Sequence, residues 1–226
     1  DERARDIYKL NVRPLNVLAE NVANLVDYDL SGKDPDYRPK LIDTDLKRHV
    51  GNVDLVIAGP PCEGNSTFNN HTRGRDRRNE LYVATVATAI AMKAKVIIVE
   101  NVMSVTGARE NVVSRALSML QVAGYKIGDN QLRLDASEFG VAQRRKRHFL
   151  FASKKRVLGE KISHYGLLAS PISVMDVLDD LLTKEGETPL DESSARSLDN
   201  QRRIEYLFDN DDFNLPDSER PDCHRT

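Results

Sequence analysis

The chain has 226 residues, 40% hydrophobic and 30% charged, with a formal net charge of −2. That length suits one large domain, or one domain with a smaller piece, and leaves enough apolar residues for a sizeable core. Two cysteines, Cys62 and Cys223, without Cys-x-x-Cys spacing argue against a disulfide framework and against any metal site.

A reducing, intracellular and cytoplasmic setting is therefore expected. No apolar run approaches ~20 residues, so no transmembrane helix is expected, and the first residues show no signal-peptide character. Charge is unevenly placed. Glu185 to Asp222 holds twelve acidic and four basic residues, while Arg73–Arg78 and Gln143–Arg156 are basic. Local clusters of this kind, more than the total, govern how a polyanion docks. They also fit an ordinary solvated surface.

Residues 3–12 and 14–28 read as helices interrupted at Pro14, and 29–40 as a turn-rich loop around Ser31-Gly32 and Pro35. Leu41 to Thr44 is expected to form a short strand with Asp45 at its end. The apolar run 53–58 is a strand leading into Gly59-Pro60-Pro61-Cys62. The two prolines fix φ and remove two backbone donors, so the sheet cannot continue and the thiol sits on a stiff turn. Residues 60–79 are irregular and rich in Asn and Arg, and a helix follows over about 80–94.

A second buried strand, Val96 to Val99, ends in Glu100-Asn101-Val102 and presents a carboxylate at another strand end. A helix over roughly 109–123 ends near Gly124, and 126–135 and 147–152 complete the sheet. This alternation predicts an α/β domain with a doubly wound, mostly parallel sheet. In such sheets functional groups gather at the carboxyl ends of the strands, where Asp45, Cys62 and Glu100 all fall. Past residue 153 the pattern changes. Val174–Leu182 and Asn200–Phe208 read as helices, and 184–199 as a surface loop. The expected domains are 1–155 and 156–226.

These residues together resemble the cytosine-C5 DNA methyltransferase family. The likeness rests on Pro60-Pro61-Cys62, on Glu100-Asn101-Val102 and on Gln143-Arg144-Arg145-Lys146-Arg147, in the family's order and spacing. Asp76 to Leu81 resembles a motif between the thiol and the glutamate, and Asn200 to Thr226 the connection toward a target-recognition region. The resemblance implies a Rossmann-like, S-adenosylmethionine-dependent methyltransferase core with a partial C-terminal extension. Two departures stand out. Glu63-Gly64-Asn65-Ser66 replaces the family's Gln-Gly-Phe-Ser, and the glycine-rich donor loop would lie before residue 1.

The implied chemistry suits these residue types. C5 of cytosine is a weak nucleophile, and a thiolate added at C6 makes it enamine-like. The resemblance makes Cys62 that nucleophile and Glu100 the acid at N3, a role that partial burial favours. Arg147, with Arg145, would bond the C2 carbonyl and orient Glu100 or Cys62, using a planar and permanently charged fork.

The cytosine would be flipped out of double-stranded DNA. Asn69, Asn70, His71, Arg73, Arg75 and Arg77 are candidate phosphate contacts. The donor would be S-adenosylmethionine, leaving S-adenosylhomocysteine. Asp45 would accept from the adenine amino group, Leu46 would pack on the adenine, and Pro61 and Leu81 would line the methionine side.

Plainer roles exist for each residue. A lone cysteine after a strand is most often a buried hydrophobe, and Asp45 could simply cap a turn. His49, His148 and His164 show no evident partner. Two other readings stay open: the same chemistry on tRNA, and a non-catalytic or split subunit that binds DNA or a complementing chain.

Overall fold

The computed structural model describes residues 2–61, 77–108, 111–128, 132–158, 170, 172–182, 195–221 and 224. Two compact units result, Asp1–Asp176 and Val177–Thr226.

The first unit is built on a five-stranded sheet: β1 (Leu55–Ala58), β2 (Val96–Val102), β3 (Lys126–Ile127), β4 (Leu132–Asp135) and β5 (Lys146–Ser153). β1 and β2 pair in parallel, and β5 runs antiparallel to β2, β3 and β4. Thus β1, β2 and the β3/β4 edge point one way, and β5 is inserted against them. The expected parallel direction holds for all but this strand. Its inversion follows from connection length. Ten residues join β4 to β5, too few for the crossover helix that a parallel partner needs. The strand expected over 126–135 is divided. Ile127 opposes Ala152 and Leu132 opposes Phe149, so this edge carries two more residues than the stretch of β5 it faces.

Alternation across β2 and β5 sorts their side chains onto two faces. Ile97, Val99, Leu150 and Ala152 join the main core with α3 (Glu80–Ala91) and α4 (Val112–Val122). α3 is rich in alanine and buries seven of its residues, which lets it lie close to sheet and neighbouring helix. α4 buries Val112, Val113, Ala116, Met119 and Leu120, a stripe at helical spacing. Leu120 is wholly buried, and Leu120→Ala would cost about 2–5 kcal/mol. The opposite face holds a smaller cluster of Leu132, Leu134 and Phe151 with Ile98, Phe149 and Leu158.

Both helices stop by the same device. After α4, Gly124 at φ 75° lets its own N–H reach Gln121 O and that of Tyr125 reach Leu120 O. After α3, Lys93 adopts φ 55° and repeats this pattern with Ile90 and Ala89. These stops set where β2 and β3 begin.

Three expectations change. Helix α1 (Glu2–Val12) forms, but 14–28 is not helical and contains only a 3₁₀ turn, Val22–Asn24. Side chains compete for the backbone there: Asn21 accepts from Ala23 N, and Glu20 accepts from Asn21 N and the Asn24 amide. Leu41–Thr44 is not a strand, since Leu41 makes one isolated bridge to Val26. Asp43 caps α2 (Thr44–Lys47) by accepting from Leu46 N at 2.8 Å, so Asp45 lies in a helical turn. β2 continues through Val102 because β5 pairs along its whole length, which places Glu100 inside the strand.

Elsewhere, Arg115 on α4 staples the 29–37 segment through Asp29 O at 2.8 Å and the Asp29 carboxylate at 2.7 Å. The stretch before the unit boundary begins α5 (Val174–Leu182). In the second unit, Ser197 caps α6 (Leu198–Asp209), and Arg203 on α6 donates to Glu219 O at 3.0 Å. That bond ties the helix to the 3₁₀ turn Asp217–Glu219.

Candidate active site

The carboxyl ends of β1 and β2 meet the start of β5, and four predicted site residues, Pro61, Glu100, Arg145 and Arg147, converge there. Arg147 Nε lies 3.1 Å from Glu100 Oε1, with the arginine side chain 22% exposed and the carboxylate 38%. Register explains the meeting. Glu100 opposes Phe149 and Val102 opposes Arg147, so Glu100 and Arg147 are diagonal neighbours on one face. The other carboxylate oxygen, Oε2, sits beside Gly59, where an added Cβ would come within 3.6 Å of it.

Two clefts flank the pair. One, of about 340 Å³, is lined by Gly59, Pro60, Pro61, Asn101, Val102, Glu100, Arg145 and Arg147. The other, of about 310 Å³, shares Glu100, Arg145 and Arg147 but is walled by Leu134, Phe139 and Phe149. Pro61, the residue before Cys62 in sequence, therefore lines the first of these clefts. Cys62 itself lies outside the described residues, as do Asn69, Asn70, His71, Arg73, Arg75, His164 and Cys223. Arg77 starts the turn Arg77–Asn79 that leads into α3.

The remaining predicted residues divide. Asp45 and Leu46 line a separate cleft of about 490 Å³ with Asn16, Val17, Leu18, Arg48 and His49. The Asp45 carboxylate accepts from Arg48, and both side chains are largely exposed. Leu81 is half-buried in the first turn of α3 and lines none of these clefts. Among the described residues, no three His, Cys, Asp or Glu side chains are grouped to hold a metal ion, and no helix is long and apolar enough to cross a membrane.

Four supporting residues escape a reading of sequence alone. Asn101, 2% exposed, donates to Pro60 O at 3.1 Å and accepts from Val102 N at 2.8 Å, pinning the proline turn to β2. Asp135 accepts from the backbone N–H groups of Arg145 and Ser137 and from the Ser137 hydroxyl, which fixes the start of the arginine segment. Burial works against that carboxylate, but these hydrogen bonds and nearby Lys146 hold it below the usual range. His148 is wholly buried and shares a 3.2 Å hydrogen bond with Tyr82, so it does have a partner. Burial lowers its pKa and raises that of Tyr82. Only the Asp135-x-Ser137 pattern could have been found beforehand, as an Asx turn. The other contacts join residues far apart in sequence.

Fold and site together define an α/β enzyme-type core with an acid–arginine pair beside a proline turn. Residues 32–211 match the model of the C-5 cytosine-specific DNA methylase family, and the chain belongs to that family. It is 35% identical to the type II methyltransferase M1.BsuMI of Bacillus subtilis, covering 100% of this chain and 51% of that protein. It is 36% identical to M.AgeI of Thalassovita gelatinovora across 51% of this chain and 26% of the relative. With M.DdeI of Desulfomicrobium norvegicum the identity is 30%, across 78% and 41%. The chain thus spans about half or less of each of these relatives.

Proposed function

We propose that this chain carries the catalytic core of a methyltransferase acting on C5 of cytosine in double-stranded DNA, with S-adenosylmethionine as donor. The observation that carries the reading is the 3.1 Å Arg147–Glu100 pair set against the turn that delivers Cys62. The family's description, C-5 cytosine-specific DNA methylase, favours DNA over tRNA, and the relatives' type II names support a place in a restriction–modification system.

In this mechanism the Cys62 thiolate adds to C6 of a cytosine flipped into the cleft beside Pro60 and Pro61. Arg147 holds Glu100 by Oε1, leaving Oε2 on the Gly59 side to meet N3 of the ring. A proton supplied there relieves charge that builds as sulfur attacks. Arg145, which lines the same cleft, bonds the C2 carbonyl. Once C5 carries the methyl group, loss of its proton to a base and expulsion of Cys62 would restore the aromatic ring. Basic residues between Arg73 and Arg78 serve the phosphates.

The chain's own residues fit a donor. Val17, Leu18 and Leu46 offer apolar contact for an adenine, and Asp45 offers an acceptor at the same cleft. Arg48 holds that acceptor through an exposed pair, which is weak in water and yields to a ligand. When bound, S-adenosylmethionine supplies an electrophilic methyl group. Pro61 and Leu81 are assigned to its methionine side. The activity is assigned to the complete protein, together with any segment or complementing chain that finishes the donor site.

The test is covalent trapping. Full-length protein with donor and duplex DNA carrying 5-fluorocytosine should form a stable adduct, and Cys62→Ser should form none. An adduct that survives this substitution overturns the assignment. Equal or greater methyl incorporation into tRNA than into duplex DNA would move the substrate to RNA.

A further inference from the structure

Arg145 lines both clefts beside the Glu100–Arg147 pair, yet it lies one residue before β5. The last matched pair of the β4–β5 ladder is Asp135 with Lys146. One step further, Ala136 and Arg145 stand opposite each other, and a full antiparallel pair would exchange two backbone hydrogen bonds there. One of the two forms: Ala136 N donates to Arg145 O at 3.1 Å. The Ala136 carbonyl, which would take the Arg145 N–H, instead accepts from Gly140 N and Val141 N and closes the 3₁₀ turn Ala136–Phe139.

The Asp135 side chain fills the gap. Its Oδ1 accepts from Arg145 N at 2.9 Å, from Ser137 N at 3.2 Å and from the Ser137 hydroxyl at 3.0 Å. One oxygen thus holds three donors, on a residue that is buried. Two walls of the second cleft depend on it. The Ser137 bonds cap the turn that carries Phe139, and the Arg145 bond keeps the backbone extended beyond the start of β5. Extension matters because side chains alternate. Arg145 and Arg147 share a face only while the chain stays extended, and a slip of one residue would turn Arg145 to the other side. A plain turn cap would need Ser137 N alone. The bond that spans ten residues to Arg145 is the part that capping does not explain.

We infer that Asp135 is a positioning residue, whose Oδ1 replaces the Ala136 carbonyl as acceptor and holds Arg145 on the face of Glu100 and Arg147. This inference rests on the methyltransferase reading above. Asp135 lines neither cleft and acts through Arg145. The bond needs an acceptor oxygen rather than a charge, so asparagine, which keeps that oxygen, can make it.

Variants of the full-length protein test this, with DNA methylation and the rate of 5-fluorocytosine trapping as readouts. Asp135→Ala should reduce kcat and the trapping rate about tenfold, while the KM for S-adenosylmethionine stays within about twofold. Asp135→Asn should recover most of the rate. Ser137→Ala, which leaves the Arg145 bond in place, should keep kcat within about twofold of wild type. The deciding comparison is made on Arg145→Ala. Because Asp135 acts through that side chain, adding Asp135→Ala to Arg145→Ala should slow kcat by less than about twofold further.

The inference is overturned if Asp135→Ala costs as much in the Arg145→Ala background as in wild type, since that marks a structural role independent of Arg145. Unchanged kcat and trapping in Asp135→Ala, with lower thermal stability, would overturn it too, as would an Asp135→Asn variant as slow as Asp135→Ala. Asp135→Ser decides the matter if Asp135→Ala does not fold. Its oxygen, one bond nearer the backbone, can cap the turn but gives up Arg145, so the variant should be slow, and a normal rate refutes the role. Normal methylation by the wild type with an indifferent Arg145→Ala sinks the positioning role and leaves the methyltransferase reading intact. A wild type that neither methylates nor traps sinks both.

Discussion

The proposed base site and the proposed donor site of this molecule are built differently. Glu100, Asn101, Arg147 and His148 sit on paired strands whose register fixes every neighbour. Asp45 and Leu46 sit on a four-residue helix, beside a stretch from Arg13 to Ile42 that holds one 3₁₀ turn and one isolated bridge. On strands, a pair such as Arg147–Glu100 meets because the backbone leaves it little choice. Beside the irregular segment, Asp45 pairs with Arg48, three residues on. A rigid frame suits groups that must act on a reacting ring. A looser frame suits a site that binds and releases a small molecule.

The sharpest way to break this contrast is Glu100→Gln. It preserves shape but removes the acid, and kcat should fall about 10²–10⁴-fold while DNA binding changes little. Equal losses in kcat and in binding would make Glu100 a structural residue. Next in size is Asn101→Ala, which leaves Pro60 O without its donor. A buried acceptor left unmatched costs about 1–3 kcal/mol, readable as a lower denaturation midpoint, and the trapping rate should drop with it. A variant as stable as wild type would show that the proline turn holds itself.

The smallest effect belongs to the donor side. Arg48→Ala breaks an exposed ion pair, so unfolding free energy should move by less than about 1 kcal/mol. Freed of its partner, Asp45 should accept a donor more readily, and the KM for S-adenosylmethionine should fall up to severalfold. A large loss of stability would mean that this segment is as rigid as the sheet. Asp45→Asn should act in the opposite sense on KM.

Much of the base side was legible in the sequence. The runs 55–58 and 96–99 are β-branched and apolar, and the prolines at 60 and 61 can only end a strand. What misled was local pattern without its partner. Val17 and Leu18 lie in a stretch with helical spacing, yet Glu20, Asn21 and Asn24 bring side-chain hydrogen bonds that compete with a helix. Asp43-Thr44-Asp45-Leu46 reads as a strand end, but Asp43 caps a turn and carries Asp45 past the end. The charge of Glu100 breaks the apolar run and suggests that the strand ends there; antiparallel pairing with β5 carries it two residues further.

The sequence by itself determined the α/β class, the strand that delivers Cys62 and the identity of the charged residues, because hydrophobic periodicity and proline chemistry act locally. Tertiary structure alone decided which groups touch. The Arg147–Glu100 contact, the clasp of Asn101 on Pro60 and the burial of His148 against Tyr82 all join residues some 40 or more positions apart. Contacts at such separations are set by sheet register, and register exists only once strands have paired.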